Sequence, residues 1–150
     1  MQLDTIELDG VTYSFSALTL EQEDEFENWV RESLRADARS ECTGLPTDLA
    51  SSIMVNMIAR TNGSACSFTG PVGLEKLSAN DGLMKVLEMA SRLNHPNPVV
   101  PKDIWRKMLR ERRDKVQAVV LNVVPFSAEH RQMILARLEK KAGGQTAGRS

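Results

Sequence analysis

The chain has 150 residues, 41% of them hydrophobic and 26% charged, the balance of an ordinary folded domain. No apolar run reaches the ~18 residues that mark a membrane span, and the opening Met1-Gln2-Leu3-Asp4 is not the basic-then-apolar start of a secretory leader. The net charge of −1 conceals a split: residues 1–75 carry 13 acidic and 4 basic side chains, residues 76–150 carry 7 and 15. The halves either neutralise each other across a fold or an interface, or serve different partners.

This length points to one domain with a real core, here expected over residues 1–142, followed by a flexible Gly-, Thr- and Ser-rich tail over 143–150. Leu3 to Phe15 reads as a β-hairpin. Ile6 and Leu8 alternate with Thr5 and Glu7, and Val11, Tyr13 and Phe15 alternate with Thr12 and Ser14. Asp9-Gly10 between them suits the positive φ angles of a type I′ turn. A hairpin alone is marginal in water, so its apolar face needs a helix or another strand to cover it.

Thr19 then caps a helix, with Gln22 placed to complete a capping box. Glu21, Glu23, Asp24, Glu25 and Glu27 crowd its first turns, where the helix dipole favours negative charge, and Phe26, Trp29, Val30 and Leu34 form its apolar face. The acids are either a solvated face or the mark of a cationic partner. Arg39 to Thr47 reads as a polar connection. Thr47 is expected to cap a second helix whose stripe is Ala50, Ile53, Met54, Met57 and Ile58, methionine serving as core filler or as adaptable binding surface. Arg60 to Val72 is turn-rich, a short strand or a loop, and Leu74 to Leu77 makes at most one helical turn. Ser78 to Asn94 reads as a helix with Leu83, Val86, Leu87, Ala90 and Leu93 inside, stopped by Asn94-His95-Pro96-Asn97-Pro98.

Pro101 to Val124 reads as one long helix, roughly 36 Å at 1.5 Å per residue. Its stripe is Ile104, Met108, Val116, Val119, Val120 and Val123, with Arg112 completing the row. At that length it would organise the rest of the chain. Ser127 caps a last helix bearing Met133, Ile134, Leu135 and Leu138. The fold class is thus mainly α with an N-terminal hairpin (α+β), about four to five helices in all.

No catalytic constellation accompanies this architecture. His95 and His130 lack neighbours at metal-ligand spacing, Gly63 and Gly70 precede no Gly-Lys-Ser/Thr, and no serine sits in a nucleophile elbow. Cys42 and Cys66 read as two reduced thiols. We expect no enzyme, no cofactor and no metal. The cations Lys102, Arg106, Lys107, Arg110, Arg112, Arg113 and Lys115 suggest a phosphate-binding stripe, but Asp103, Glu111 and Asp114 are interleaved and no aromatic platform is present. A solvated face or a partner for the acidic helix is favoured over nucleic acid.

Two stretches carry a family resemblance. Ile6-Glu7-Leu8-Asp9-Gly10-Val11-Thr12-Tyr13, then Leu18-Thr19-Leu20 and the acidic helix with Trp29-Val30, resemble the start of tailed-bacteriophage tail assembly chaperones. Asn94-His95-Pro96 and Val99-Val100-Pro101-Lys102-Asp103, opening a valine-rich helix, look like their second half. The likeness covers about residues 5–124 and is one of pattern. Phage connector, tail or baseplate proteins that stay in the virion begin in similar ways. What the resemblance implies is a non-enzymatic protein of the host cell cytoplasm that binds the tape measure protein and helps recruit tail tube subunits. Such families often make a longer product by frameshifting, which draws notice to Lys140-Lys141 before Gly143-Gly144. The candidate partner-binding residues are Glu23, Asp24, Glu27 and Trp29 on the acidic helix and Arg106, Arg110 and Arg113 on the basic one. Self-association through those two faces is a further expectation.

Overall fold

The structure, a computed structural model, describes residues 4–92, 94 and 100–136. Over those residues it is mainly helical, 68%, with an N-terminal two-stranded antiparallel hairpin. The strands are β1 (Asp4–Leu8) and β2 (Val11–Phe15); the helices are α1 (Leu20–Cys42), α2 (Thr47–Arg60), α3 (Pro71–Leu77), α4 (Asn80–Ser91), α5 (Lys102–Glu111) and α6 (Arg113–Val123). A further helix, α7, covers 128–136. That is seven helices among the described residues, against the four to five expected, because the segment after Gly70 forms a full helix and the long helix is two. The chain falls into two compact units, where one domain over 1–142 was expected. A hairpin unit holds residues 1–17 and 90–150, and a helical unit holds residues 18–89. The 143–150 tail, Lys140-Lys141 and most of the Asn-His-Pro-Asn-Pro stretch lie outside the described residues.

In the hairpin unit, Leu8 pairs with Val11 across a two-residue loop, and Asp9 (φ 52°) and Gly10 (φ 79°) both occupy the left-handed region. This is the type I′ geometry that Asp-Gly predicts. Ile6, Leu8, Tyr13 and Phe15 face inward and are buried. Trp105 of α5 closes over them, its ring 5.8 Å from Tyr13 and 6.0 Å from Phe15, with 2% of its surface exposed. α6 lies against β1, where Asn122 Nδ2 donates to Asp4 Oδ1 at 3.3 Å. Ser16 N–H donates to the Ala90 carbonyl at 2.9 Å, and the Asn94 amide donates to Ser14 O at 3.2 Å and Ser16 Oγ at 2.8 Å. These bonds satisfy chain-end groups that a helix and a strand leave open.

The expected single helix Pro101–Val124 breaks at Arg112 (φ −133°, ψ 36°). The hairpin supplies the reason. Trp105 and Asn122 stand 17 residues apart, which is roughly 25 Å along a straight helix. Trp105 touches Phe15 while Asn122 touches Asp4, and Asp4 and Phe15 are register partners across the hairpin. Both ends of one rigid rod cannot reach the same end of a five-residue ribbon. The inward row on α5 is also shifted from the expected one: Trp105, Met108 and Leu109 are buried, Ile104 only half so, and Arg112 is exposed at the break. The valines fall as expected, with Val116, Val119, Val120 and Val123 buried on α6.

In the helical unit, Thr19 accepts from Gln22 N at 3.2 Å, and Thr19 N donates to Gln22 Oε1 at 3.1 Å, which is the expected capping box. The Gln22 amide nitrogen also donates to the Met89 carbonyl at 2.7 Å, tying the start of α1 to the last turn of α4. α1 overruns the expected polar connection and ends at Cys42. α2 starts one residue earlier than expected: Thr47 is its first helical residue rather than its cap, and Pro46 takes the cap position with no side-chain cap. The chain over 61–70 is all turn rather than strand, yet it buries Thr61, Cys66 and Phe68. Phe68 stacks on Phe26 at 4.3 Å. The Val72 and Gly73 amides both donate to Ala65 O. A Cβ on Gly73 would lie 1.7 Å from Ser67 O, so only glycine lets α3 start that close to the turn.

Candidate functional site

The C-terminal half of α1 runs beside α2. Phe26 and Val30 in the first half of α1 are fully buried, Phe26 against Phe68. Further along, the inward position is Ala38, too small to fill the same space. The result is an open groove of about 410 Å³ between the two helices. Leu34, Asp37, Ala38 and Glu41 line it from α1 and Ile53, Asn56, Met57 and Arg60 from α2, each set at spacings of zero, three, four and seven; Thr61 ends it. Those spacings put each set on one helical face. Ala38 and Met57 are buried and form the floor, Leu34 and Ile53 are half-buried walls, and Asp37, Glu41, Asn56 and Arg60 are the exposed rim. Leu49, 55% exposed and four residues before Ile53, carries the apolar wall one turn further.

The rim is acidic in effect. Asp37 and Glu41 have no ion pair among the described residues, whereas Arg60, the one cation lining the groove, and Arg31 near its end are both held. Arg60 pairs with Glu75 at 2.8 Å. Arg31 pairs with Glu27 at 3.4 Å and donates to the Thr61 and Gly63 carbonyls at 3.4 and 3.3 Å. Charge is segregated at the scale of the units as well. Residues 18–89 hold 12 acidic and 6 basic side chains, a net of −6, and the remaining residues hold 8 and 13, a net of +5.

The seven residues singled out from the sequence fall on both units, four on α1 of the helical unit and three on α5 and α6 of the hairpin unit. On α1, Asp24 is exposed, Glu23 and Glu27 are half-exposed, and Glu27 is engaged by Arg31. Trp29 is half-buried, 5.7 Å from Phe26, with the Lys76 ammonium 5.7 Å over its ring. On α5, Arg106 pairs with Asp103 at 3.2 Å and Arg110 is exposed; Arg113, which opens α6, is partly covered. Lys107 reaches Asp9 in the hairpin turn, and that hydrogen bond holds its ammonium pKa above the usual lysine range. None of these seven lines the groove. Its residues were legible only as apolar spacing: Ile53 and Met57 in the α2 stripe, Leu34 in the α1 stripe. Nothing in the sequence said that Ala38 would leave them uncovered.

Among the described residues no three His, Cys, Asp or Glu side chains converge as a metal site, and no helix is long and apolar enough to cross a membrane. Cys42 and Cys66 are free thiols. Cys66 is buried, and burial pushes its thiol pKa up, with the Arg31 charge pulling the other way. That is a core cysteine, held away from the thiolate form that nucleophilic chemistry needs. No protein-family model, curated protein or solved structure matches the chain.

Proposed function

We propose that this protein is a non-enzymatic assembly chaperone of a tailed bacteriophage, which binds the tape measure protein and brings tail tube subunits to it in the cytoplasm of the infected cell. The observation that carries the reading is the open α1–α2 groove, with an apolar floor and, on its rim, acids that have no ion pair among the described residues, in the helical unit that begins at the Leu18-Thr19-Leu20 junction. An open apolar groove between two helices is a recurring way to hold a helical segment of another protein. The sequence pattern over about residues 5–124 that resembles this chaperone family supplies the identity of the client. The opposite charge of the two units, −6 and +5, gives the protein two surfaces of different preference, as a protein that holds two partners needs.

The test is co-expression with a phage tape measure protein from the same genome, together with mass spectrometry of purified virions. The tape measure protein is expected to stay in the supernatant only when this chain is present, and the chain is expected to be absent from the finished particle. Stoichiometric copies in the virion would instead make it a structural subunit of the head–tail connector, tail or baseplate.

A further inference from the structure

We propose that the α1–α2 groove is a docking site for an amphipathic helix of a partner protein whose apolar stripe is flanked by lysine and arginine. The groove runs from Leu34 to Glu41 on α1, seven steps along the helix, roughly 10 Å. That is two helical turns, enough to take apolar anchors at i, i+3 or i+4, and i+7. Leu34, Ala38, Ile53 and Met57 offer those anchors an apolar floor and walls, and Leu49 extends the wall.

The sign of the partner follows from the rim. Asp37 and Glu41 stand on the α1 side with no cation paired to them among the described residues, and the one cation lining the groove, Arg60, already has Glu75 at 2.8 Å. A helix flanked by acids would place like charges against Asp37 and Glu41. A helix flanked by lysine or arginine would pair with them at the edge of an apolar contact, where solvent is partly excluded and the pairing is less screened. Apolar anchors therefore set the affinity and the acidic rim sets the choice of partner. The outer face of this chain's own α5 is basic but has no exposed large apolar residue, its Trp105, Met108 and Leu109 being buried in the hairpin unit. It lacks the anchors that the groove requires.

This inference rests on the chaperone reading only in taking the helix to belong to a client. The experiment uses the full chain and two synthetic helical peptides with the same leucine stripe, one flanked by lysine and arginine and one by glutamate, followed by fluorescence anisotropy at low salt. The basic peptide is expected to bind at least about tenfold tighter than the acidic one. Asp37→Lys combined with Glu41→Lys should reverse that preference. Ile53→Glu, at a half-buried wall position, should weaken both peptides, with the melting temperature measured alongside. The double surface variant keeps the test valid should Ile53→Glu unfold. Equal binding of the two peptides, or a preference unmoved by the double variant, overturns the proposal. So does a dimer in sedimentation that Ile53→Glu abolishes while neither peptide binds, since the occupant is then a second copy of this chain. A failed peptide test with the tape measure protein still kept in solution would remove the groove and leave the chaperone reading standing.

Discussion

The two units reach a buried core by opposite routes. The helical unit is continuous in sequence, and its most distant contacts, Glu25 with Lys85 and Gln22 with Met89, join the start of α1 to α4 within one unbroken stretch of chain. The hairpin unit joins residues 4–15 to residues 102–123, so its centre, Trp105 on Tyr13 and Phe15, depends on contacts some ninety residues apart. The cores differ in finish too. Trp105 is fully enclosed, and the α1–α2 face is left open at Ala38. Closing a long loop is costly before any contact rewards it. A unit built that way needs a large aromatic anchor, whereas locally closed helices tolerate a gap and can keep it for a partner.

The strongest test of this contrast is Trp105→Ala, which should cost about 3–5 kcal/mol through the cavity it leaves. Native-state hydrogen exchange is expected to show lost protection in β1, β2, α5 and α6, with α1 and α2 amides still protected. Equal loss in both sets would show that the two units unfold as one. The loss is moderated by the Trp105 Nε1–H, which is buried with no hydrogen-bond partner among the described residues, so truncation also relieves an unmet donor.

Next in size is Gly10→Val. It forces a β-branched side chain to φ 79°, and about 1–3 kcal/mol of stability should be lost in denaturant titration. An unchanged midpoint would mean that the turn is not the pinned element it looks to be. On the helical side, Thr19→Ala removes one half of the capping box and should cost about 1 kcal/mol, seen as fraying of the first turn of α1. Gln22→Ala should cost more than an ordinary surface change, because the same side chain also binds the Met89 carbonyl.

A pH series separates the units further. The Cys66 thiol pKa is raised by folding, so the folded chain holds its proton where the unfolded chain has begun to lose it. Stability from this group is complete below the unfolded pKa, near 9.0, and falls as pH rises through the folded value. Cys66→Ala should flatten the alkaline decline of the helical unit and leave the hairpin unit's unchanged. The smallest effect expected is that of Lys107→Gln. It removes an exposed pair with Asp9, and high salt should erase the difference between variant and parent in thermal melts.

Local chemistry made much of this legible in the residues. Asp9-Gly10 specified a two-residue turn because few dipeptides take two positive φ angles. Thr19 and Gln22 specified a helix start because their side chains bond backbone groups three residues away. The valine spacing specified the inner face of α6. Each of these depends on atoms within a turn or two of chain. The break at Arg112 had no such signal: the apolar row runs through it at helical spacing, and only the need for Trp105 and Asn122 to reach the same end of the hairpin bends the chain there. Trp105 carries no local signal for the same reason, since its partners Tyr13 and Phe15 lie some ninety residues away. The groove was equally hidden. Leu34, Ala38, Ile53 and Met57 have the spacing of ordinary core, and spacing fixes which face a side chain takes but not whether another element arrives to cover it. So the sequence by itself determined the hairpin, the Thr19 capping box, most helical faces and the separation of charge. Tertiary packing alone decided where the long helix breaks, which aromatic anchors the hairpin and which apolar face stays open, because each of those is settled by what a distant part of the chain brings to it.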